Sequence, residues 1–435
     1  MEGSKPLSIL LVMPRSELYQ RKHGFRKYLR YAPLTLTTLA ALTPACLQAR
    51  IRIIDEGVEE ADFGKANADL VGITCITGTS TRAYTIADTL RARGITVVLG
   101  GPHPTLLPEE AKTHADSVIV GLANRSWPEL LGDFASGSLK PFYNDPEAEV
   151  DHMPFARRDL LRRARYITVN TVQATYGCPQ TCDFCVVGIV RPHYIHRAVE
   201  EVIAEIRSLR AGLVLFLDPS PTEGKHYIKS LYSALIPLRI RWMGLATTRI
   251  AEDPELFDLL VKSGCRGLLI GFESVSQKSL ERMGKSFGHV DRYTPFIRKL
   301  HDNGIAIQGC FALGSDFEGP SIFDETLEFV TRTGMDLPRY TVITPFPRTS
   351  LYRQLKMENR ILTEDWSKYN CQNVVFRPKN MSAEALQAGL EYVWRESYRI
   401  GNIASRLSRS RTRLLYSLVA NIGYMRYAKD LPLYK

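Results

Sequence analysis

Cys178, Cys182 and Cys185 fall within eight residues, in the run Gly177-Cys178-Pro179-Gln180-Thr181-Cys182-Asp183-Phe184-Cys185. Three thiolates at spacings of four and three can bind three irons of a 4Fe-4S cube and leave the fourth iron without a protein donor. Four cysteines close a cluster for electron transfer, whereas an open metal position takes a substrate, as in catalytic zinc. The spacing therefore points to catalysis at a metal. Zinc is the competing use of such thiols, but no second pair follows at finger spacing. The other five cysteines (Cys46, Cys75, Cys265, Cys310, Cys371) are scattered singly through apolar stretches and are expected in the core.

An aromatic residue, Phe184, precedes the last cysteine of the run. In this the motif resembles the Cys-x3-Cys-x2-Cys signature of the radical S-adenosylmethionine (SAM) superfamily. The resemblance implies that the free iron chelates the amino and carboxylate groups of SAM and that a cluster electron cleaves a carbon-sulfur bond. It extends to Phe216-Leu217-Asp218, Gly271-Phe272-Glu273-Ser274, Gly314 and Thr344-Pro345-Phe346-Pro347, each at an expected strand end. By the same resemblance Glu273 and Ser274 help hold SAM, Asp218 lies near its amino group or the substrate, and Phe184 and Gly314 complete that pocket. Tyr176 and Arg348 stand where relatives often carry Arg and Gly; they face substrate or merely repack.

These residues need a scaffold, and the hydrophobic pattern supplies two. Over residues 7–134, apolar runs of strand length (7–13, 51–55, 70–77, 95–99, 117–120) alternate with helical segments (33–47, 81–93, 127–134). The runs are nearly continuous in Val, Ile and Leu, as in a parallel sheet buried on both faces, and predict a doubly wound α/β domain. Ligands of such sheets sit beyond the carboxyl ends of the strands, where loops here are rich in small and hydroxyl residues.

These segments resemble the Rossmann-like cobalamin-binding domain of cobalamin (B12)-dependent radical SAM enzymes. The resemblance rests on Pro33 and Leu34 opening the first helix, Ile53-Ile54-Asp55 ending the second strand, and the turn Gly100-Gly101-Pro102-His103-Pro104-Thr105. It implies cobalamin contacts from Pro14, Thr77, Gly78, Thr79, Ser80, Gly100, Gly101, Pro102, His103, Thr105 and Gly121. The Asp-x-His-x-x-Gly signature that supplies a histidine to cobalt is absent, so His103 is not promoted to cobalt ligand on type alone. Gly121-Leu122-Ala123-Asn124 also replaces the usual Gly-Glu-Gly-Glu. No Gly-x-Gly-x-x-Gly follows the first strand, which counts against a dinucleotide site.

The expected organisation is a cobalamin-binding domain over 1–140, a proline-rich basic linker over 141–166, a partial (β/α)6 radical SAM barrel over 167–350 and a mostly helical region over 351–435. In β/α barrels chemistry gathers at the carboxyl ends of strands, and the cysteine loop directly follows the first one, read over 168–175. Helices are expected over 383–398 and 403–427, closing the barrel mouth.

With 435 residues and 45% hydrophobic content the chain can build sizeable cores, and disorder is not expected. No apolar stretch approaches the roughly 20 residues needed to span a bilayer, and the amino terminus lacks a signal-peptide apolar region, so a reducing cytoplasm is expected. The net charge of +10 concentrates at the end: residues 391–435 carry nine Lys or Arg against three acidic residues, interleaved with aromatic and aliphatic side chains. Such a tail is usually a solvated helical face packed on the core; otherwise it lies peripherally on an anionic membrane or takes a lipid-like, hydrophobic small-molecule substrate. Nucleic acid is not an expected partner.

Together the resemblances imply a methyltransferase acting on an unactivated carbon through a 5'-deoxyadenosyl radical and methylcobalamin, fed by a reductase, flavodoxin or ferredoxin. The alternatives are oxidative cyclisation, ring contraction or rearrangement with the same cofactors, and a non-catalytic corrinoid or Fe-S electron-transfer module.

Overall fold

The computed structural model of the chain describes residues 6–16, 31–147, 149–410, 412 and 414–431. It divides into two compact units, Met1–Thr171 with Ile189–Arg191, and Val172–Gly188 with Pro192–Lys435.

The first unit is built on six parallel strands: β1 (Ser8–Met13), β2 (Arg50–Asp55), β3 (Leu70–Thr74), β4 (Thr96–Gly100), β5 (Ser117–Val120) and β6 (Phe142–Asn144), in the order β2-β1-β3-β4-β5-β6. Alternate residues of one strand feed two separate cores. Ile9 and Leu11 join Ile53, Val98 and Trp127 on one face; Leu10 and Val12 join Ile54, Val71 and Leu99 on the other. Both faces are thus buried, which is why the strands read as unbroken apolar runs. At Gly72 an added Cβ would stand 3.1 Å from Leu11 and 3.2 Å from the Trp127 ring, so the missing side chain makes room for the indole. β6 lies in the stretch read from sequence as linker; with only three residues it offers no periodicity.

In the second unit β7 (Thr171–Val172), β10 (Leu213–Phe216), β11 (Arg241–Ala246), β12 (Cys265–Glu273), β13 (Ala306–Leu313) and β14 (Leu337–Val342) form one sheet, ordered β14-β13-β12-β11-β10-β7 and parallel from β10 to β14. A short antiparallel pair, β8 (Thr175–Tyr176) with β9 (Ile195–His196), brackets the cysteine loop. The strand expected over 168–175 is therefore broken in two. Its cause is Asp218, whose Oδ1 accepts the N–H groups of Ala174 and Thr175 and the Thr175 hydroxyl, drawing the chain off the ladder.

The six strands leave β14 as an edge with free carbonyls, a liability unless covered. Side chains from the C-terminal region cover it: Trp394 Nε1 and Gln372 Nε2 donate to the Tyr340 carbonyl at 3.0 and 3.1 Å, and the Tyr398 hydroxyl donates to Pro338 O at 2.7 Å. The helix Ala383–Ser397, expected at the barrel mouth, thus packs along β14.

The single helix read over 403–427 is two, Ile400–Arg409 and Leu414–Asp430. Between them the hydroxyls of Ser410 and Thr412 each donate to buried Asp336 Oδ1 at 2.6 Å, which interrupts the helical ladder. Much of the basic aromatic tail is interior: Trp394, Tyr398 and Arg406 are buried, and Arg406 donates to the carbonyls of Met335, Asp336 and Ser397 and to Asn421 Oδ1. Arg411, Arg413 and Lys435, counted in that tail, and the side chains of Leu414, Leu415 and Tyr416 lie outside what is described. No described helix is long and apolar enough to cross a membrane.

Candidate active site

All eight cysteines are free. Cys75 and Cys265 are buried as expected of core residues, whereas Cys46 is exposed in a turn, where the surrounding apolar residues had suggested core. Cys178, Cys182 and Cys185 are half-buried in the loop between β8 and β9.

Two segments hold that loop. The Cys185 N–H donates to Cys182 O at 3.1 Å, which closes a tight turn over the last two cysteines. The Asp183 N–H donates to Met283 O at 3.1 Å, its carboxylate pairs with Arg282 at 2.7 Å, and its carbonyl accepts from the Leu351 N–H at 3.1 Å. Gln180 reaches across the barrel end to Glu223, which also binds Arg249. Phe184 packs against Met283, Ala312 and Ile343, one apolar wall beside a small cavity that Gly314 also lines.

The thiols sense one another. Burial pushes the Cys182 thiol up to about 12; Lys285 opposes the rise, and Cys185, Glu273 and Cys178 add to it. Cys185 is also raised, chiefly by burial, with Cys178 and Glu273 adding and Lys285 opposing. Such thiols keep their protons until a metal displaces them. Among the described residues no three His, Cys, Asp or Glu side chains converge on a single-ion site; a four-iron cube takes its donors from separate corners. The donor set, three neighbouring soft ligands without a fourth, fits an open cluster.

Glu273 ends β12 in left-handed conformation, with φ +63. Its Oε1 pairs with Lys285 Nζ at 2.7 Å, and the same ammonium donates to Gly271 O at 2.7 Å. Ser274 is fully buried and donates to Glu318 Oε1 at 2.7 Å, while Glu318 Oε2 accepts from Gly314 N at 2.8 Å and Ser315 N at 3.1 Å. Burial pushes the Glu318 carboxyl up, and these donors hold the rise back. Glu318 therefore ties the ends of β12 and β13 together. Asp218, 1% exposed, spends Oδ1 on Ala174 and Thr175, but its buried Oδ2 has no partner among the described residues. Burial raises its carboxyl to about 6 against the pull of those hydrogen bonds.

Lys285, Arg282, Glu318 and Gln180 were not singled out by sequence. The one available signal was position: Glu318 follows Gly314, and Arg282 and Lys285 flank Met283-Gly284 in a helix end. Tyr176 lies in β8, and Arg348 is exposed with φ +65, a conformation that glycine adopts freely and arginine does not.

In the first unit the predicted loops all lie at carboxyl ends of strands. Pro14 follows β1, Thr77–Thr79 and Ser80 follow β3, Gly100 and Gly101 join β4 to the helix Pro102–Leu106, and Gly121 follows β5. Read as a turn, Gly-Gly-Pro-His-Pro-Thr proves to open a helix, with Pro102 in the first turn where its missing N–H costs nothing. Thr77, Ser80, His103 and Thr105 are buried and bond within the unit: Thr77 Oγ1 to His103 Nδ1 at 3.2 Å, Ser80 to Thr77 O at 2.9 Å, and Thr105 Oγ1 to both Gly101 O and Gly121 N. His103 Nε2 meets Glu110 at 3.1 Å, so both ring nitrogens are engaged inside the unit. The loops also present backbone and an apolar side chain at their surface. A Cβ at Gly100 or Gly121 would meet nothing closer than 3.8 or 3.7 Å, and Ile76 is 57% exposed. Backbone there is open to close approach by a bulky cofactor.

Two comparisons of sequence segments agree with this division. Residues 172–330 match the Radical SAM superfamily and residues 31–131 match the B12 binding domain. Bacteriochlorophyllide d C-12(1)-methyltransferase of Chlorobaculum tepidum is 30% identical over 390 residues, covering 86% of this chain and 84% of the relative. The chain belongs to the cobalamin-dependent radical SAM methyltransferases. A second member, bacteriochlorophyllide d C-8(2)-methyltransferase of the same organism, is 31% identical over 83% of this chain and 86% of its own. In fold this family member is similar to TsrM from Kitasatospora setae, a radical SAM methyltransferase solved with tryptophan and a SAM analogue: TM-score 0.66, 14% identity, coverage 98% of both chains. Its cofactors are a 4Fe-4S cluster, SAM and cobalamin, and it acts as an enzyme.

Proposed function

We propose that Cys178, Cys182 and Cys185 carry the cluster, that Glu273 and Ser274 with Phe184 and Gly314 border the SAM pocket, and that the chain methylates an unactivated carbon of a small hydrophobic molecule. The observation that carries this reading is that three free thiols share one short loop between β8 and β9, which Arg282 and Met283 tie to the segment bearing the Glu273 partner Lys285.

When bound, these cofactors supply homolytic hydrogen abstraction and methyl donation. The net change per methyl group is balanced: two SAM and two electrons from an external reductase convert C–H to C–CH3, releasing S-adenosylhomocysteine, methionine and 5'-deoxyadenosine, which carries the abstracted hydrogen. The chain's residues orient and enclose. Glu273 is an acceptor suited to an ammonium group, the Phe184 wall excludes water, and Asp218 Oδ2 is a buried acceptor open to a donor. Pro14, Thr77, Gly78, Thr79, Ser80, Gly100, Gly101, Pro102, His103, Thr105 and Gly121 shape the cobalamin surface, with His103 acting through Thr77 and Glu110 rather than on cobalt.

Two relatives act on bacteriochlorophyllide d, and a flat tetrapyrrole is the first substrate class we would offer. For the tail, the finer reading is contact with an anionic membrane: Leu418, Val419 and Ile422 are exposed on one side of the helix Leu414–Asp430, and exposed Lys429 falls on the same side. Sedimentation with anionic against neutral vesicles tests it, binding to neither being the adverse result.

Anaerobic reconstitution with iron, sulfide, cobalamin, SAM, a reductant and a panel of tetrapyrrole and isoprenoid substrates tests the main reading. Joint formation of 5'-deoxyadenosine, S-adenosylhomocysteine and a product heavier by one methylene supports it. Deoxyadenosine without homocysteine product favours cyclisation or rearrangement, and neither product favours a binding module.

A further inference from the structure

The segment Arg282–Lys285 touches both halves of the proposed SAM site. Arg282 and Met283 hold the cysteine loop through Asp183. Gly284, with φ +69, lies so close beneath that loop that a Cβ would meet Thr181 O at 3.2 Å and Cys182 Cα at 3.6 Å. The next residue, Lys285, turns the other way, onto Gly271 O and Glu273 Oε1. Its side chain is 8% exposed and that of Glu273 16%, so the pair is shielded from water and its charges are weakly screened.

The strand end is shaped around this ammonium. A Cβ on Gly271 would fall 2.3 Å from Glu273 Oε1 and 3.0 Å from Lys285 Nζ. Glu273 itself holds a backbone conformation that costs a non-glycine residue about 1 kcal/mol or more, and such strain persists only where surroundings over-determine it. Lys285 holds the Glu273 side chain there, while Ser274 N on Phe272 O and Ser274 Oγ on Glu318 hold the backbone that follows.

We propose that Lys285 is a positioning and electrostatic residue of the radical site: it fixes the Glu273 carboxylate for SAM, and its charge makes the cluster easier to reduce. The proposal rests on the cluster reading above. A cation near an Fe-S cluster stabilises the reduced, more negative state, and net local charge is one of the terms that set such potentials. Lys285 directly follows Gly284, which packs against the backbone of Thr181 and Cys182, so its charge is carried by the turn that supports the cysteine loop.

The test is an EPR-monitored redox titration of the reconstituted full chain, with iron content and SAM affinity measured in parallel. Lys285→Met should keep iron, move the midpoint to more negative potential and weaken SAM binding about tenfold or more, as for loss of a hydrogen bond between charged groups. Lys285→Arg should restore the potential. If Lys285→Met loses iron, Glu273→Gln decides, because it leaves the cation uncompensated and should shift the midpoint upward. An unchanged midpoint in an iron-replete Lys285→Met, or in Glu273→Gln, overturns the proposal. Absence of a 4Fe-4S signal in the unsubstituted protein overturns the cluster reading instead.

Discussion

Glu318 accepts the Ser274 hydroxyl at 2.7 Å on one carboxylate oxygen and the Gly314 N–H at 2.8 Å on the other. One buried side chain thus sets the distance between two neighbouring strand ends. Replacing it with Ala would leave a hydroxyl and two N–H groups without acceptors, at a cost of about 3 kcal/mol, while Gln keeps the shape and should cost about 1 kcal/mol. Urea denaturation measures both. The larger loss in Glu318→Gln would mean that charge, not shape, holds the strands.

Cys178→Ala, Cys182→Ala and Cys185→Ala should each reduce bound iron and sulfide and abolish 5'-deoxyadenosine formation, by about a hundredfold or more. Cys310→Ala and Cys371→Ala, outside the loop, should keep the cluster spectrum. Ultraviolet-visible absorption after reconstitution separates the two groups.

Asp218 carries a pH signature. Its folded-state carboxyl, raised to about 6 by burial, binds a proton more tightly than the same group in the unfolded chain, ordinarily near 4. Stability therefore falls as pH rises from about 4 to about 6 and is flat in this contribution above that window. Asp218→Asn keeps an oxygen for the Ala174 and Thr175 N–H groups and should flatten that stretch of the profile. Thermal midpoints of the two proteins at pH 5 and pH 7 check it.

His103 should not ligate cobalt, since its nitrogens face Thr77 and Glu110. In the cobalamin-loaded protein, EPR of the cobalt(II) form should show the same nitrogen hyperfine pattern before and after 15N-histidine labelling. His103→Ala should lower stability by about 1–3 kcal/mol through the Thr77 hydroxyl that loses its ring-nitrogen partner and the volume left by the buried ring. A label-dependent pattern would reverse the assignment.

Removal of Arg406 should be felt widely, because three carbonyls and the Asn421 amide oxygen each lose a donor at once, with Asp336 O retaining Asn421 Nδ2. Arg406→Met should destabilise by about 3 kcal/mol or more, as buried acceptors are left without a donor. Denaturant unfolding followed by tryptophan fluorescence, with Trp394 in the same cluster, reports it.

The parts legible in the sequence were those written in local pattern. The Cys178–Cys185 spacing, the unbroken Val and Ile runs and helices such as Val199–Leu209 and Lys225–Leu235 declare themselves within a few residues. What escaped depends on partners far along the chain. Lys285 meets Glu273 twelve residues back and Glu318 meets Ser274 forty-four back, and neither stands out among 56 basic and 46 acidic residues. The breaks at Thr175 and Ser410 have the same origin: a remote aspartate, Asp218 or Asp336, competes with the local ladder for hydrogen bonds. Burial of Trp394 and Tyr398 agrees with the reading of a helical face packed on the core, but the surface they cover was not legible, because charge alternation looks the same whether the aromatic side faces lipid or a sheet edge.

Gly271 carries no side chain, yet the carboxylate and ammonium occupy the very space one would take. A side chain there must displace a charged group, so Gly271→Ala should show itself as a disturbed Glu273–Lys285 pair rather than as a lost contact, although there is nothing on it to delete. Its contribution is an enforced emptiness, and an alanine substituted there acts as an insertion.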